Sequence, residues 1–172
     1  MEIKLSRCTL RPWRPGDEVS LARHADDRRV SGNLKDRFPF PYTAADATAW
    51  IEHVVGEGEP ARNFAIVVEG VAVGGIGVEL GQDVFRRSAE IGYWLGHPFW
   101  GRGIASEAVR AITEYAFATF DIVRLEAGVF GWNPASARVL EKAGYTLEGR
   151  MRQAVVKDGR VGDRLLYGLL RP

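Results

Sequence analysis

Apolar positions along this chain follow two rhythms, and each change of rhythm marks an element. Ile3 to Trp13 alternates loosely, which predicts a first strand. Pro15-Gly16-Asp17 is a turn, with Asp17 placed to cap a short helix through about Ala25. Two prolines, Pro39 and Pro41, deny residues 31–42 a long helix or a central strand. The aromatic residues Phe38, Phe40 and Tyr42 there either shape a pocket or anchor a loop to the core. Thr43 and Asp46 form a capping signal, and Ala47, Trp50, Ile51 and Val54 follow at helical spacing until residues 56–60 end the helix.

Phe64–Glu69 and Val71–Leu80, separated by little more than Gly70, predict an antiparallel hairpin. Gly74, Gly75 and Gly77 suggest a bulge or bend in its second strand. Ala89–Leu95 predicts a further strand, entered through a polar loop at 81–88. Gly103–Thr119 is the clearest helix, with Ile104, Ala108, Ile112, Tyr115 and Ala116 on one face. Ile122–Phe130 is a strand that is apolar on both faces. Asn133 at the N-cap, Pro134 at the first helical position and Gly144 just past the end bound a helix over 134–143. Tyr145–Val156 and Leu165–Leu170 complete the strands, with a turn at Lys157-Asp158-Gly159. The order predicts a single mixed α/β domain over 1–172. Its sheet should be mostly antiparallel, with parallel pairing across the helix at 103–119.

Composition narrows the class. The chain has 172 residues, 46% hydrophobic, with eight Phe, five Trp and five Tyr, which is too much apolar surface for a disordered chain. The formal net charge is +1, so a strongly basic nucleic-acid footprint is absent. The single cysteine, Cys8, cannot form an internal disulfide and fits a reducing compartment. No apolar run reaches the length of a membrane span, and the first residues lack a secretory core. These features predict a cytoplasmic protein with no membrane or nucleic-acid partner. His24, His53 and His97 are scattered and form no metal-binding pattern, so no metal is expected.

Candidate chemistry gathers between Glu90 and Ala108, where a strand runs through a glycine-bearing loop into a long helix. Such a loop presents successive backbone N–H groups, and the helix start adds about half a positive charge. Together they suit a phosphate or pyrophosphate. Gly101 and Gly103 clear side chains from the backbone, and Arg102 can add charge at the rim. A tight structural turn would also require these glycines. The Walker pattern is missing, and a dinucleotide fingerprint fails at Ser106 and lacks its acidic residue after the next strand.

Asn133-Pro-Ala-Ser136-Ala-Arg-Val-Leu140-Glu-Lys-Ala-Gly144-Tyr145 follows 30 residues after Gly103. With these two motifs the sequence resembles the GNAT superfamily of acyl-CoA-dependent N-acetyltransferases, and most closely the branch of the ribosomal-protein N-terminal acetyltransferases RimJ and RimL. The resemblance spans nearly the whole chain, including Thr9–Asp17, Phe40-Pro41-Tyr42 and Ala89–Leu95. It implies the GNAT α/β fold, with helices on both faces of a mixed sheet, and acetyl-CoA as acetyl donor. The family's donor loop matches Trp100-Gly101-Arg102-Gly103-Ile104-Ala105, with Trp100 where many members carry Gln or Arg. By this resemblance the backbone of 101–106, including Ser106, holds the pyrophosphate. The pantetheine arm lies along 90–95, ending at Leu95, and Asn133 contacts it. Gly92 and Gly96 would ease the splaying of that strand.

Amine acetylation calls for a neutral amine, help at the carbonyl oxygen and a proton for the leaving thiolate. The resemblance implies that Ser136 protonates the CoA sulfur, because Leu140 stands where other members carry a catalytic tyrosine. A first-turn helix serine bonded to backbone is the structural alternative. Glu90 is the candidate base, its alternative being a surface pairing with Arg86 or Arg87. His97, with an ordinary pKa of about 6.5, is a second candidate. Tyr93 and Trp94 read as core and pocket wall. An α-amine is easier to deprotonate than a lysine by roughly 3.4 kcal/mol, which favours α-amine acceptors where the base is modest.

The resemblance implies a primary-amine acceptor, either a protein N-terminus or a small molecule. By family analogy its pocket is lined by 31–42, 81–88 and 152–164. Arg28, Arg29, Arg37, Arg86, Arg87, Arg150 and Arg152 would give it a taste for a carboxylate-bearing acceptor if they face it, or are otherwise solvated surface residues. The resemblance leaves room for a homodimer, which nothing in the residues demonstrates. A non-catalytic acyl-CoA-binding module is the alternative function, retaining 101–106 and Asn133 without a proton donor or base.

Overall fold

The computed structural model describes all 172 residues. Eight strands form one sheet in the order β1-β2-β3-β4-β5-β6-β8-β7. The strands are β1 (Ile3–Lys4), β2 (Thr9–Pro12), β3 (Asn63–Val68), β4 (Val71–Leu80), β5 (Ser88–Leu95), β6 (Arg124–Phe130), β7 (Thr146–Lys157) and β8 (Arg160–Leu170). Only β5 and β6 pair in parallel; every other neighbour is antiparallel. The helices are α1 (Glu18–Ala25), α2 (Arg28–Ser31), α3 (Ala44–Gly56), α4 (Ile104–Thr119) and α5 (Pro134–Lys142).

Local chemistry accounts for most of these boundaries. Thr43 and Asp46 form a complete capping box at the start of α3. Asn133 caps α5 by accepting from the Ser136 N–H, and Gly144 leaves that helix at φ +91°. Two hairpins turn on residues with positive φ, Glu69-Gly70 between β3 and β4 and Asp158-Gly159 between β7 and β8. The β3–β4 register shifts at Ile66/Val67, opposite the glycine-rich stretch, as the sequence suggests.

Four features depart from expectation. Ile3–Trp13 is not one strand but the two-strand hairpin β1–β2, closed by Leu5 N–H donating to the Cys8 carbonyl. Helix α2 was not foreseen, and β8 begins five residues before Leu165. Asp17 makes no side-chain cap for α1. Its carboxylate is buried and accepts two 2.7 Å bonds from the Arg11 guanidinium, with a further bond from the Arg14 N–H.

Apolar cores lie on both faces of the sheet. One is built from α4, α5 and the sheet, with Ile91, Ile112, Leu125 and Leu140 fully buried. Each such side chain contributes about 1.5–3 kcal/mol. The other packs α1 and α3 on the opposite face through Trp13, Leu21, Ala47 and Ile51. Strand alternation on β5 is thereby fixed: Ala89, Ile91 and Tyr93 face the α4/α5 core, while Glu90, Gly92 and Trp94 face the other way. No helix is long and apolar enough to cross a membrane.

Asp17→Ala leaves the buried Arg11 cation uncompensated and is expected to cost about 3–5 kcal/mol of unfolding free energy, read by urea denaturation. Burial also raises all five tyrosine phenols, Tyr42 and Tyr145 to about 12 and Tyr93 further. Above about pH 10 the unfolded chain releases phenol protons that the folded chain retains. Stability should therefore fall as pH rises through that range, measured by denaturation at stepped pH alongside phenolate absorbance.

Candidate active site

Parallel strands β5 and β6 stay in register for three residues only, Ser88–Glu90 against Arg124–Glu126. Beyond Glu90, β5 continues to Leu95 against β4, and β6 continues to Phe130 against β8. The two strands then lead into different helices, α4 and α5. A fork opens between them, and the β5 residues from Ile91 onward have no partner strand on that side. Gly92 lies exposed at the fork, and a Cβ there would meet nothing within 4 Å. Gly96 serves a different purpose from the one expected. A Cβ on it would crowd the His24 ring at 3.0 Å and the Val73 carbonyl at 3.1 Å, so it permits close packing rather than splaying.

At the far end of β5 stands the glycine loop. Gly101 and Gly103 have φ +74° and +76°, a region that favours glycine, and a Cβ on Gly101 would meet no atom within 4 Å. Gly103 caps α4 with no side-chain bond. The first-turn N–H groups of Ile104, Ala105 and Ser106 therefore have no acceptor inside the helix. The Ile104 side chain is buried in the core and Ser106 is 8% exposed, so both contribute backbone more than side chain at the loop's outer face. Trp100 braces the turn by donating its indole N–H to the Leu95 carbonyl at 2.6 Å. Arg102 lies over the Phe99 ring, 5.4 Å from its centroid. A cation the sequence reading did not single out, Arg7, reaches the same loop: its Nε lies 3.3 Å from where a Gly103 Cβ would stand. Glu107 fixes this approach by accepting from the backbone of Ser6 and Arg7. Burial opposes ionisation of Glu107, but these bonds and the Ser6 hydroxyl outweigh it and hold the carboxyl below its usual range. Backbone donors without side chains, rimmed by two arginines, form a cradle suited to phosphate groups.

Ser136, in the first turn of α5, meets Tyr93 of β5 across the fork. Their hydroxyl oxygens are 2.7 Å apart, and the Tyr93 hydroxyl is 3.2 Å from the Ser136 carbonyl oxygen. The Ser136 hydroxyl is thus bonded to another side chain, and Tyr93 is more than core. Burial, partly offset by the Ser136 bond, holds the Tyr93 phenol far above its usual value, so it stays protonated near neutrality. Asn133 uses its side-chain oxygen on the Ser136 N–H at 3.3 Å, which leaves its amide N–H₂ for another acceptor.

Glu90 sits on the opposite face, three residues from Tyr93 and at the mouth of the fork. It pairs neither with Arg86 nor with Arg87. Arg87 pairs with Asp121 at 2.9 Å, and Arg86 donates to the Asp83 carbonyl. The partner of Glu90 is Lys35, 2.9 Å away and brought from the 31–42 loop. Register places Glu79, Glu90 and Glu126 side by side on three adjacent strands. Each has a cation: Arg37 for Glu79, Lys35 for Glu90 and Arg124 for Glu126. His97 lies in the turn after β5, roughly 17 Å of extended strand from Glu90, with its ring against Trp100. That places it at the glycine-loop end. His24 packs on Phe99 and beside Gly96 in the same turn, and His53 lies apart against Trp50.

The 31–42 loop and the β7–β8 hairpin meet on the Glu90 face. Lys157 bonds Asp36 at 2.8 Å, Arg28 bonds Asp158 at 3.2 Å, and the Trp132 indole N–H donates to the Gly32 carbonyl at 3.3 Å. Arg29 is taken up by Asp27, and Arg150 by Asp163. Phe38 packs on Tyr42 and Trp94, and Phe40 lies under Arg28.

Residues 7–146 match the acetyltransferase (GNAT) domain family. N-acetyltransferase p20 of Bacillus licheniformis is 32% identical over 171 residues, covering 96% of this chain and 93% of that protein. The ribosomal-protein-serine acetyltransferase of Escherichia coli is 31% identical over 107 residues, covering 62% of this chain and 59% of that protein. Among solved structures, Mycobacterium smegmatis RimJ in complex with CoA-disulfide superposes with a TM-score of 0.82 at 26% identity, covering 95% of this chain and 81% of that one. A fork between parallel strands, a side-chain-free anion cradle at its end and this similarity along the chain lead to one assignment: the chain belongs to the GNAT family and is an N-acetyltransferase of the RimJ/RimL-like kind.

Proposed function

We propose that this enzyme transfers the acetyl group of acetyl-CoA to a primary amine, an α-amine in particular, by direct attack on the thioester. The observation that carries this reading is the pair of groups flanking the fork, the Tyr93–Ser136 hydroxyl pair on one side and the Glu90 carboxylate on the other. The donor supplies an acetyl group activated as a thioester. The N–H groups of 101–106 bind its pyrophosphate, with Arg102 and Arg7 at the rim. The free edge of β5 and the Asn133 amide hold the pantetheine arm, although the Leu95 carbonyl is shared with Trp100.

Glu90 takes a proton from the acceptor ammonium, directly or through a water molecule. As the nitrogen bonds to the acetyl carbon and the carbon–sulfur bond breaks, Ser136 gives its hydroxyl proton to the departing sulfur and is restored by the second proton lost from the acetylated nitrogen. Tyr93 donates to the Ser136 oxygen, which orients the serine proton toward the fork and stabilises the charge left behind. Because a free thiol has a pKa of about 8.5, this proton accelerates departure without being indispensable. Tyr93 is a positioning residue in this scheme, acting through Ser136.

The acceptor class is a protein N-terminus or a small-molecule α-amine. Relatives named for ribosomal-protein acetylation support the first. We place the reaction in the cytoplasm. Cys8, the only cysteine, is free and has no partner for an internal disulfide, which suits a reducing compartment.

Thiol release from acetyl-CoA, measured across peptides, amino acids and polyamines, tests the assignment. Glu90→Gln is expected to lower kcat about 100-fold and Ser136→Ala at least about 10-fold. Tyr93→Phe removes one hydrogen bond and should cost about fivefold in kcat. In all three the KM for acetyl-CoA should stay close to wild type; a matching rise would place these residues in donor binding instead. Gly103→Ala forces a side chain into the left-handed region, at a cost of about 1–2 kcal/mol in stability, and should raise the KM for acetyl-CoA.

A further inference from the structure

Lys35 is the ion-pair partner of Glu90, the base proposed for the acceptor side. Its ammonium is 2.9 Å from the Glu90 carboxylate, and both side chains are partly open to solvent, 53% and 30% exposed. The segment presenting it is fastened on every side. Asp36 is bonded to the largely buried Lys157, Arg37 to Glu79, Phe38 is packed on Trp94, and the Gly32 carbonyl is held by Trp132. The backbone that carries Lys35 is therefore fixed opposite Glu90, and the side chain reaches across to it.

Most charges around it are taken up: Glu79 has Arg37, Asp36 has Lys157, and Glu126 shares Arg124 with Glu148. An acceptor arriving as a lone ammonium competes with Lys35 for the Glu90 carboxylate. Two cations then crowd one carboxylate and repel each other. An acceptor that brings its own carboxylate replaces one ion pair with two, its ammonium on Glu90 and its carboxylate on Lys35. We propose that Lys35 selects acceptors whose reactive amine lies within one or two residues of a carboxylate: a peptide with an acidic residue at its first or second position, or a free amino acid. This inference rests on Glu90 as the acceptor-side base.

The test uses peptide pairs that differ only in aspartate against asparagine at the first or second position, with kcat/KM measured for each member. The wild type should favour the acidic member about fivefold, the scale of one exposed ion pair. Lys35→Arg should keep that preference, Lys35→Met should bring the ratio to about one, and Lys35→Glu should invert it. Added salt should shrink the wild-type ratio. Acetyl-CoA affinity serves as the folding control for each variant. Where a pair reacts too slowly, calorimetric binding to the CoA complex reads the same ratio.

A wild-type ratio of one or below, or a ratio that survives Lys35→Met, overturns the inference while leaving the acetyltransfer reading in place. A pair that neither reacts nor binds also counts against it. Full activity of Glu90→Gln on both members would instead remove the base assignment on which it rests.

Discussion

Everything at the site depends on a parallel strand pair that stops after three residues. β5 and β6 part beyond Glu90 and Glu126, yet neither strand is loose, because β4 holds one and β8 holds the other along their full lengths. The sheet can therefore open internally without losing its edges. The opening exposes backbone polar groups on β5, which need a partner, and it leads to a helix start whose own N–H groups also need one. One extended ligand with amide and phosphate groups satisfies both. The same divergence lets a serine from the first turn of α5 reach a tyrosine of β5.

Charge at the fork mouth is arranged in ion pairs, with Arg124 shared between Glu126 and Glu148. Three neighbouring glutamates on adjacent strands would repel, and each is answered by a cation, two of them from the 31–42 loop. That loop is in turn fastened to the β7–β8 hairpin. Acceptor entry, sheet electrostatics and loop position are thus one coupled problem. On the opposite face the Tyr93 phenol is kept protonated by its burial.

Where local chemistry decides the structure, the sequence was legible. The Thr43/Asp46 box, the Asn133–Pro134 start and Gly144 stop of α5, and the Gly70 and Asp158-Gly159 turns all act within four residues, and each lies where the pattern puts it. Failures arose where distant contacts override local signals. The β1–β2 turn contains neither glycine nor proline, so nothing marked it. Asp17 resembles a helix cap but is drawn into a bidentate pair with Arg11. Strand β8 extends through Gly162, Asp163 and Arg164, polar positions that alternation alone assigns to a loop.

The site divides along the same line. The sequence by itself determined the glycine loop ahead of α4, the Asn133–Ser136 spacing on one helix turn and the family to which both belong. Those features depend on residues a few positions apart, whose relation is set by backbone geometry. Only the tertiary structure decided that Tyr93 meets Ser136, that Lys35 rather than Arg86 or Arg87 meets Glu90, and that His97 belongs to the far end of the strand. Tyr93 and Ser136 are 43 residues apart, and Lys35 and Glu90 are 55 apart. Contacts at such separations follow from strand order, from which face of β5 each side chain takes, and from how loops close over the sheet. These are set by packing of the whole chain, and no local pattern carries them.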